Sequence, residues 1–339
     1  IGIYNHPPMM SMFLLFLNKI LGASDTYFPL LMRIPAILAD IGNSLLVFLL
    51  AKEFMPEKKA MICGLLVAFS PVLVMVSGFH GNTDPVFICL ILLSLYVMLV
   101  KKHLLLAGFV FGCAFNIKIV PLICVPAFFF ICQNWKSRIQ FFSTMLIPLF
   151  LGFSYNLIKD SGGIITNVFL YKSLLGNWGF TKLLSQSIAL NKLDSVLKIY
   201  ILLFISISSY LLAKEAQYSQ QPDKIRLAAF NIGLTFLIFL ALTPGFSVQY
   251  LSWLAPTAIF LGIELYMVYS LLGGIFLFSV YTFWSGGFSW DYADSLTRGT
   301  WRGFSETMDV ILWLFLCIWL IVLLVRVARP FVKEEVPLI

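Results

Sequence analysis

The sequence predicts an all-α protein, a polytopic transmembrane helix bundle of ten or eleven spanning helices with interfacial helices in the outer loops. Three observations predict it. The 339-residue chain is 60% hydrophobic and 12% charged, whereas soluble domains are nearer half apolar and a quarter charged. Apolar stretches of roughly 17–22 residues recur, the length that crosses a bilayer as a helix. Lysines and arginines cluster on alternate turns between those stretches, as a chain threading a membrane requires.

Taken in order, the apolar runs predict spanning helices over 34–51, 60–78, 85–100, 103–117, 119–132, 138–157, 198–213, 226–243, 250–268, 270–284 and 308–327. Residues 9–32 are interrupted by Asn18, Lys19, Asp25 and Pro29, which suits a segment lying in the interface. One set of loops carries Lys52, Lys58 and Lys59, then Lys101 and Lys102, Lys136 and Arg138, Lys214, Lys224 and Arg226, and finally Arg326, Arg329 and Lys333. The positive-inside rule places this set in the cytoplasm. The opposite, outer set is 79–85, 116–121, 158–197, 243–250 and 285–307. The net charge of +7 therefore reads as topology and contact with anionic membrane lipids, with no nucleic-acid partner implied. The expected organisation is one integral-membrane domain over 1–339. The membrane is the bacterial plasma membrane or the endoplasmic reticulum, and the sequence leaves both open.

The six cysteines all lie inside apolar runs without metal-ligand spacing. They suit small core or lipid-facing positions. No P-loop, dinucleotide fingerprint, HExxH, paired CxxC or Gly-x-Ser-x-Gly occurs, so nucleotide-driven work, a structural zinc site and a hydrolase elbow have no support. The carboxylates form no ligand cluster, and no metal is assigned.

Candidate chemistry gathers at the outer ends. In Phe79-His80-Gly81-Asn82-Thr83-Asp84-Pro85, Asp and Pro suit a helix start, so capping alone accounts for them. Capping does not require His80 or Asn82. A carboxylate and an imidazole four residues apart can take up a proton and contact a phosphate or hydroxyl. Asp84 is the candidate catalytic carboxylate. Lys118, at the outer end of a short helix, either snorkels to the headgroups or balances a lipid-linked phosphate. Arg33 and Asp40 share a helix and read as structural polar contacts. Tyr171 and Lys172 precede Gly176-Asn177-Trp178-Gly179, whose glycines predict a turn that presents the indole. That indole is an interfacial anchor or a platform for a sugar ring. Gln249 and Tyr250 offer amide and phenol groups to a hydroxylated ligand, or belong to an aromatic belt. The loop 285–307 mixes rings and charges, and no single residue stands out there.

Five places, in order, resemble the multi-pass GT-C glycosyltransferases, closest to their mannosyltransferase-like branch: Tyr4-Asn5-His6-Pro7-Pro8, Arg33-Ile34-Pro35 with Asp40, His80 to Asp84, Asn116-Ile117-Lys118 with Pro121, and Phe246 to Tyr250 with Trp253. The turn at Gly176–Gly179 is also similar. The resemblance implies transfer of a sugar, mannose first, from a polyprenyl-phosphate carrier to a lipid or glycan acceptor. It implies an outer or lumenal site and inversion at the anomeric carbon. His80, Asn82, Lys118, Tyr171, Lys172, Asn177, Trp178, Gln249 and Tyr250 would then line the substrate site. The family's main carboxylate lies in its first outer loop, and this chain starts near the end of that loop. One further helix and an acidic loop are therefore expected upstream of Ile1. The competing readings are a transporter or flippase of a lipid-linked saccharide, which should carry polar residues along several helix interiors, and an acyltransferase, which should bury its histidine.

Overall fold

The computed structural model describes residues 7–21, 28–169, 175–183, 189–288 and 301–328. Among these, helices follow one another almost without interruption: α1 (Pro8–Leu21), α2 (Phe28–Ala51), α3 (Glu57–Ala68), α4 (Pro71–Leu73), α5 (Asp84–Leu99), α6 (Leu104–Phe115), α7 (Val125–Ile131), α8 (Trp135–Ile164), α9 (Gly179–Leu183), α10 (Ala189–Tyr218), α11 (Gln221–Leu242), α12 (Leu251–Ala258), α13 (Ile263–Trp284) and α14 (Phe304–Ala328). Among the described residues, seven helical segments are long and apolar enough to cross a membrane, and four shorter apolar ones lie at 84–99, 104–115, 120–131 and 248–261. The chain is an integral, multi-pass helical bundle.

The local breaks have local causes. α3 stops before Ser70-Pro71, since proline cannot donate into the preceding turn. The chain resumes as α4 and then widens into a π-helix, Val74–His80, closed by Gly81 in the left-handed region at φ 67°. Such widened turns are frequent at functional sites. The expected helices 250–268 and 270–284 divide differently. Short 3₁₀ turns flank α12, the chain breaks at Gly262 with φ 138°, and α13 follows directly. Only glycine adopts that backbone easily. The outer loop expected over 158–197 is shorter, because α8 runs to Ile164 and α10 starts at Ala189.

Burial sorts the helices. α11 is central, with Leu234, Phe236, Leu237, Ile238 and Leu240 all fully buried, and every residue of α12 is buried. Helices apolar all round belong inside. α8 instead turns Phe150, Tyr155 and Ile158 outward, as a lipid-facing helix should. α6 packs along α8 through Gly108, Gly112 and the buried Asn116. A Cβ on Gly108 would lie 2.1 Å from the Phe141 carbonyl oxygen, and one on Gly112 2.2 Å from that of Met145. Small residues allow this approach, which is how helices associate in lipid. Asn116 then donates to the Pro148 carbonyl at 2.8 Å. α1 bridges α2 and α8 and exposes Met12, Leu15 and Phe16, the pattern of an interfacial helix.

The basic turns gather on one face. Lys102 neighbours both Lys224 and Glu53; burial first and Lys224 second lower its pKa, against Glu53. On the same face Gln221 donates to the Leu99 carbonyl at 3.2 Å.

Candidate active site

α5 begins the site. Asn82 accepts the Asp84 backbone N–H at 2.9 Å, so the local cap comes from Asn82, and the Asp84 carboxylate makes no cap bond. That carboxylate is 1% exposed. Lys118 donates to both its oxygens, at 2.8 and 2.7 Å, and the Trp253 indole N–H donates to Oδ2 at 2.7 Å. Lys118 follows α6, where the helix gives way to the 3₁₀ turn Val120–Cys124. Its ammonium also lies over two rings, 5.4 Å from Tyr250 and 5.0 Å from Trp253. Those rings stack on each other at 3.9 Å. Three stretches distant in sequence thus meet in one cluster.

The electrostatics follow from burial. An isolated buried carboxylate is costly, and three donors on two oxygens offset that cost. Removing one partner of such a pair typically costs about 3–5 kcal/mol, because the other charge stays behind. The ammonium carries three protons and faces two carboxylate oxygens. Its side chain is 16% exposed, so it reaches open space beside the cluster.

The cluster sits well inside the long helices. Asn43 of α2 donates to the Pro85 carbonyl at 3.2 Å, which levels the start of α5 with Asn43. From Phe28 to Asn43 α2 runs fifteen residues, about 22 Å of helix. Asn116 is level with Gly152, and α8 runs on for about 12 Å before its non-helical residue, Asp160. The helices that supply or precede Asp84, Lys118 and Trp253 are short, with sixteen, twelve and eight residues.

The remaining expected residues are placed as follows. His80 is exposed, with Nδ1 3.1 Å from the Tyr281 hydroxyl and its ring edge-on to Tyr281 and Trp284. Arg33 and Asp40 do not pair with each other. Each reaches across to the π-helix: Arg33 donates to the Phe79 carbonyl at 3.1 Å, and Ser77 donates to Asp40. Gln249 is half-buried in the 3₁₀ turn before α12. Asn177 lies in a turn with Gly176 at φ 84° and Gly179 at φ 60°. The turn is as expected, but the indole is not presented. Trp178 is fully buried, stacks on Phe246 at 3.9 Å and donates to the Leu240 carbonyl at 2.9 Å. A flat ring of this size gains more from that stack than from water. Tyr171 and Lys172 lie outside the described residues.

Sequence reasoning missed three things. The Trp253 N–H is a direct partner of Asp84, and only the fold brings residues 169 apart together. Tyr281 holds His80. A second buried pair links Lys182 to Asp309 at 3.0 Å, with Trp301 donating to the same carboxylate; it fastens α9 and the start of α14. Among the described residues, no group of three or more His, Cys, Asp or Glu could hold a metal ion.

The sequence profile of the dolichyl-phosphate-mannose-protein mannosyltransferase family matches residues 5–158. This stretch contains Arg33, Asp40, His80, Asn82, Asp84 and Lys118. The chain is also similar to GPI mannosyltransferase 1 of Saccharomyces cerevisiae, 29% identical over 103 residues, which are 30% of this chain and 25% of that relative. The match thus spans about a quarter of the relative's length. With the multi-pass helical architecture, these two matches make the chain similar to membrane mannosyltransferases over its first half.

Proposed function

We propose that this chain transfers mannose from a polyprenyl-phosphate carrier to a lipid or glycan acceptor, at the face opposite the basic loops and with inversion. The two mannosyltransferase matches support the sugar and the reaction class. The observation that carries the site is the Lys118 ammonium, braced by Asp84 and two stacked rings and partly open beside them.

In this reading the acceptor hydroxyl attacks the anomeric carbon from the side opposite the phosphate. A carbon–oxygen bond forms to the acceptor, and the bond to the carrier phosphate breaks. Negative charge grows on the departing phosphate, and a positioned cation lowers that barrier. Lys118 supplies that cation. Asp84 and Trp253 hold it, and Asp84 serves as the carboxylate of the pair. In this reading the hydroxyl proton passes to an acidic residue, as in the glycosyltransferases that the chain resembles. His80 and Asn82 sit beside the same turn, within reach of the sugar's hydroxyls.

The test is transfer of radiolabelled mannose from a polyprenyl-phosphate donor to membrane lipid acceptors by the purified protein. Lys118→Ala should lower kcat by about 100-fold, the usual scale for one such donor, with partial recovery in Lys118→Arg. A wild-type rate in Lys118→Ala would sink the site. No transfer from any polyprenyl-phosphate sugar would sink the function.

A further inference from the structure

A groove of about 930 Å³ runs along the outward side of α13, between α4 and the start of α14. Pro71, Met75, Leu271, Ile275, Phe278 and Phe283 supply its apolar walls. From Leu271 to Gly286 it follows fifteen residues of chain, about 22 Å if helical. α13 and α4 touch at its base, where a Cβ on Gly274 would come 2.8 Å from Pro71. Its far end is polar, with Thr282, Ser305 and Arg302. Arg302 is exposed, and no carboxylate pairs with it among the described residues.

We propose that this groove holds one anionic glycerophospholipid of the bilayer, with its chains along α13 and its phosphate on Arg302. The volume lies at the upper end of the range of ordinary ligand pockets. Leu271, Phe278 and Phe304 stand exposed along it, so it opens to hydrocarbon. A guanidinium at the polar end of an apolar trench matches a phosphate on a chain. The groove also faces away from the Asp84 cluster. The inward side of α13 carries the buried Phe276 and Tyr281, which meet Phe246 and His80. The rings of Phe276 and Tyr281 therefore stand between this lipid and the reacting centre, which assigns it to the bilayer and not to the sugar carrier. The inference is independent of the proposed transfer reaction.

Native mass spectrometry of the full chain, purified in mild detergent and equilibrated with equal phosphatidylglycerol and phosphatidylcholine, tests it. The wild type should retain one diacyl lipid and prefer the anionic one about fivefold, the factor one cation at a membrane surface contributes. Arg302→Gln should abolish the preference while an adduct remains. Ser279→Trp, which fills the groove, should remove the adduct. An unchanged preference in Arg302→Gln, an adduct retained in Ser279→Trp, or a polyprenyl-phosphate mass in place of a diacyl lipid would each overturn the assignment. If either variant fails to fold, the wild-type preference decides alone: equal retention of the two lipids overturns the proposal.

Discussion

Lys118 owes its place to three side chains from two other parts of the sequence. Asp84 fixes its charge, and Tyr250 and Trp253 fix its direction. Trp253→Phe keeps a ring beneath the ammonium and deletes the N–H on Asp84. A hydrogen bond to a charged group contributes about 1.5–3 kcal/mol, so the melting temperature in detergent should fall measurably. In the proposed reaction, kcat should fall more than KM rises. His80 is exposed and bonded to Tyr281 at its outer edge. His80→Gln keeps a polar partner for the Tyr281 hydroxyl and should therefore leave thermal stability within about 0.5 kcal/mol, while mannose transfer falls about tenfold, within the range that a positioned proton-transfer group contributes. Equal losses of stability and activity would mark His80 as structural.

At the scale of elements, length is the informative quantity. α5 has sixteen residues and α6 twelve, about 24 and 18 Å of helix, against a hydrocarbon core of about 30 Å. Asp84 opens α5, and Lys118 lies just past the end of α6. The α6–α8 seam holds Lys118 at its depth. A Cβ on Gly152 would lie 1.7 Å from the Asn116 amide oxygen, so Gly152→Ala should cost about 1–3 kcal/mol, the usual scale for overpacking. Asn116→Ala in the same chain removes the obstructing amide. A double-mutant cycle in thermal unfolding should show coupling between the two, and additive losses would refute the contact. The seam was partly legible: Gly108 and Gly112 stand four apart in an apolar run, the pattern for close helix approach. Gly152 was not, because nothing local relates it to Asn116.

For the whole molecule, the two faces differ in kind. One carries short basic turns; the other carries the Asp84–Lys118 cluster, α9 and the start of α14. In a cysteine-depleted background, a cysteine at Ser247 should react with a membrane-impermeant maleimide from the outer or lumenal side. One at Lys58 should react only from the cytoplasmic side. The reverse pattern would invert the topology and place the candidate site in the cytoplasm.

The sequence by itself determined the class, and it supplied the expected orientation and the candidate residues. Each of these rests on local or periodic signals: an apolar run long enough to span, a lysine pair in a turn, a polar break beside a proline. His80, Asn82, Asp84, Lys118 and Tyr250 were legible because a polar group at a membrane boundary stands out from its neighbours. The tertiary structure alone decided what these groups do to one another. It gave the cap to Asn82 and left Asp84 for Lys118 and Trp253. It turned Trp178 inward onto Phe246 and separated Arg33 from Asp40. The physical reason is that a buried charge chooses its partner by proximity in space. In a bundle, proximity is set by which helices are short and where they end, which no single stretch of sequence records.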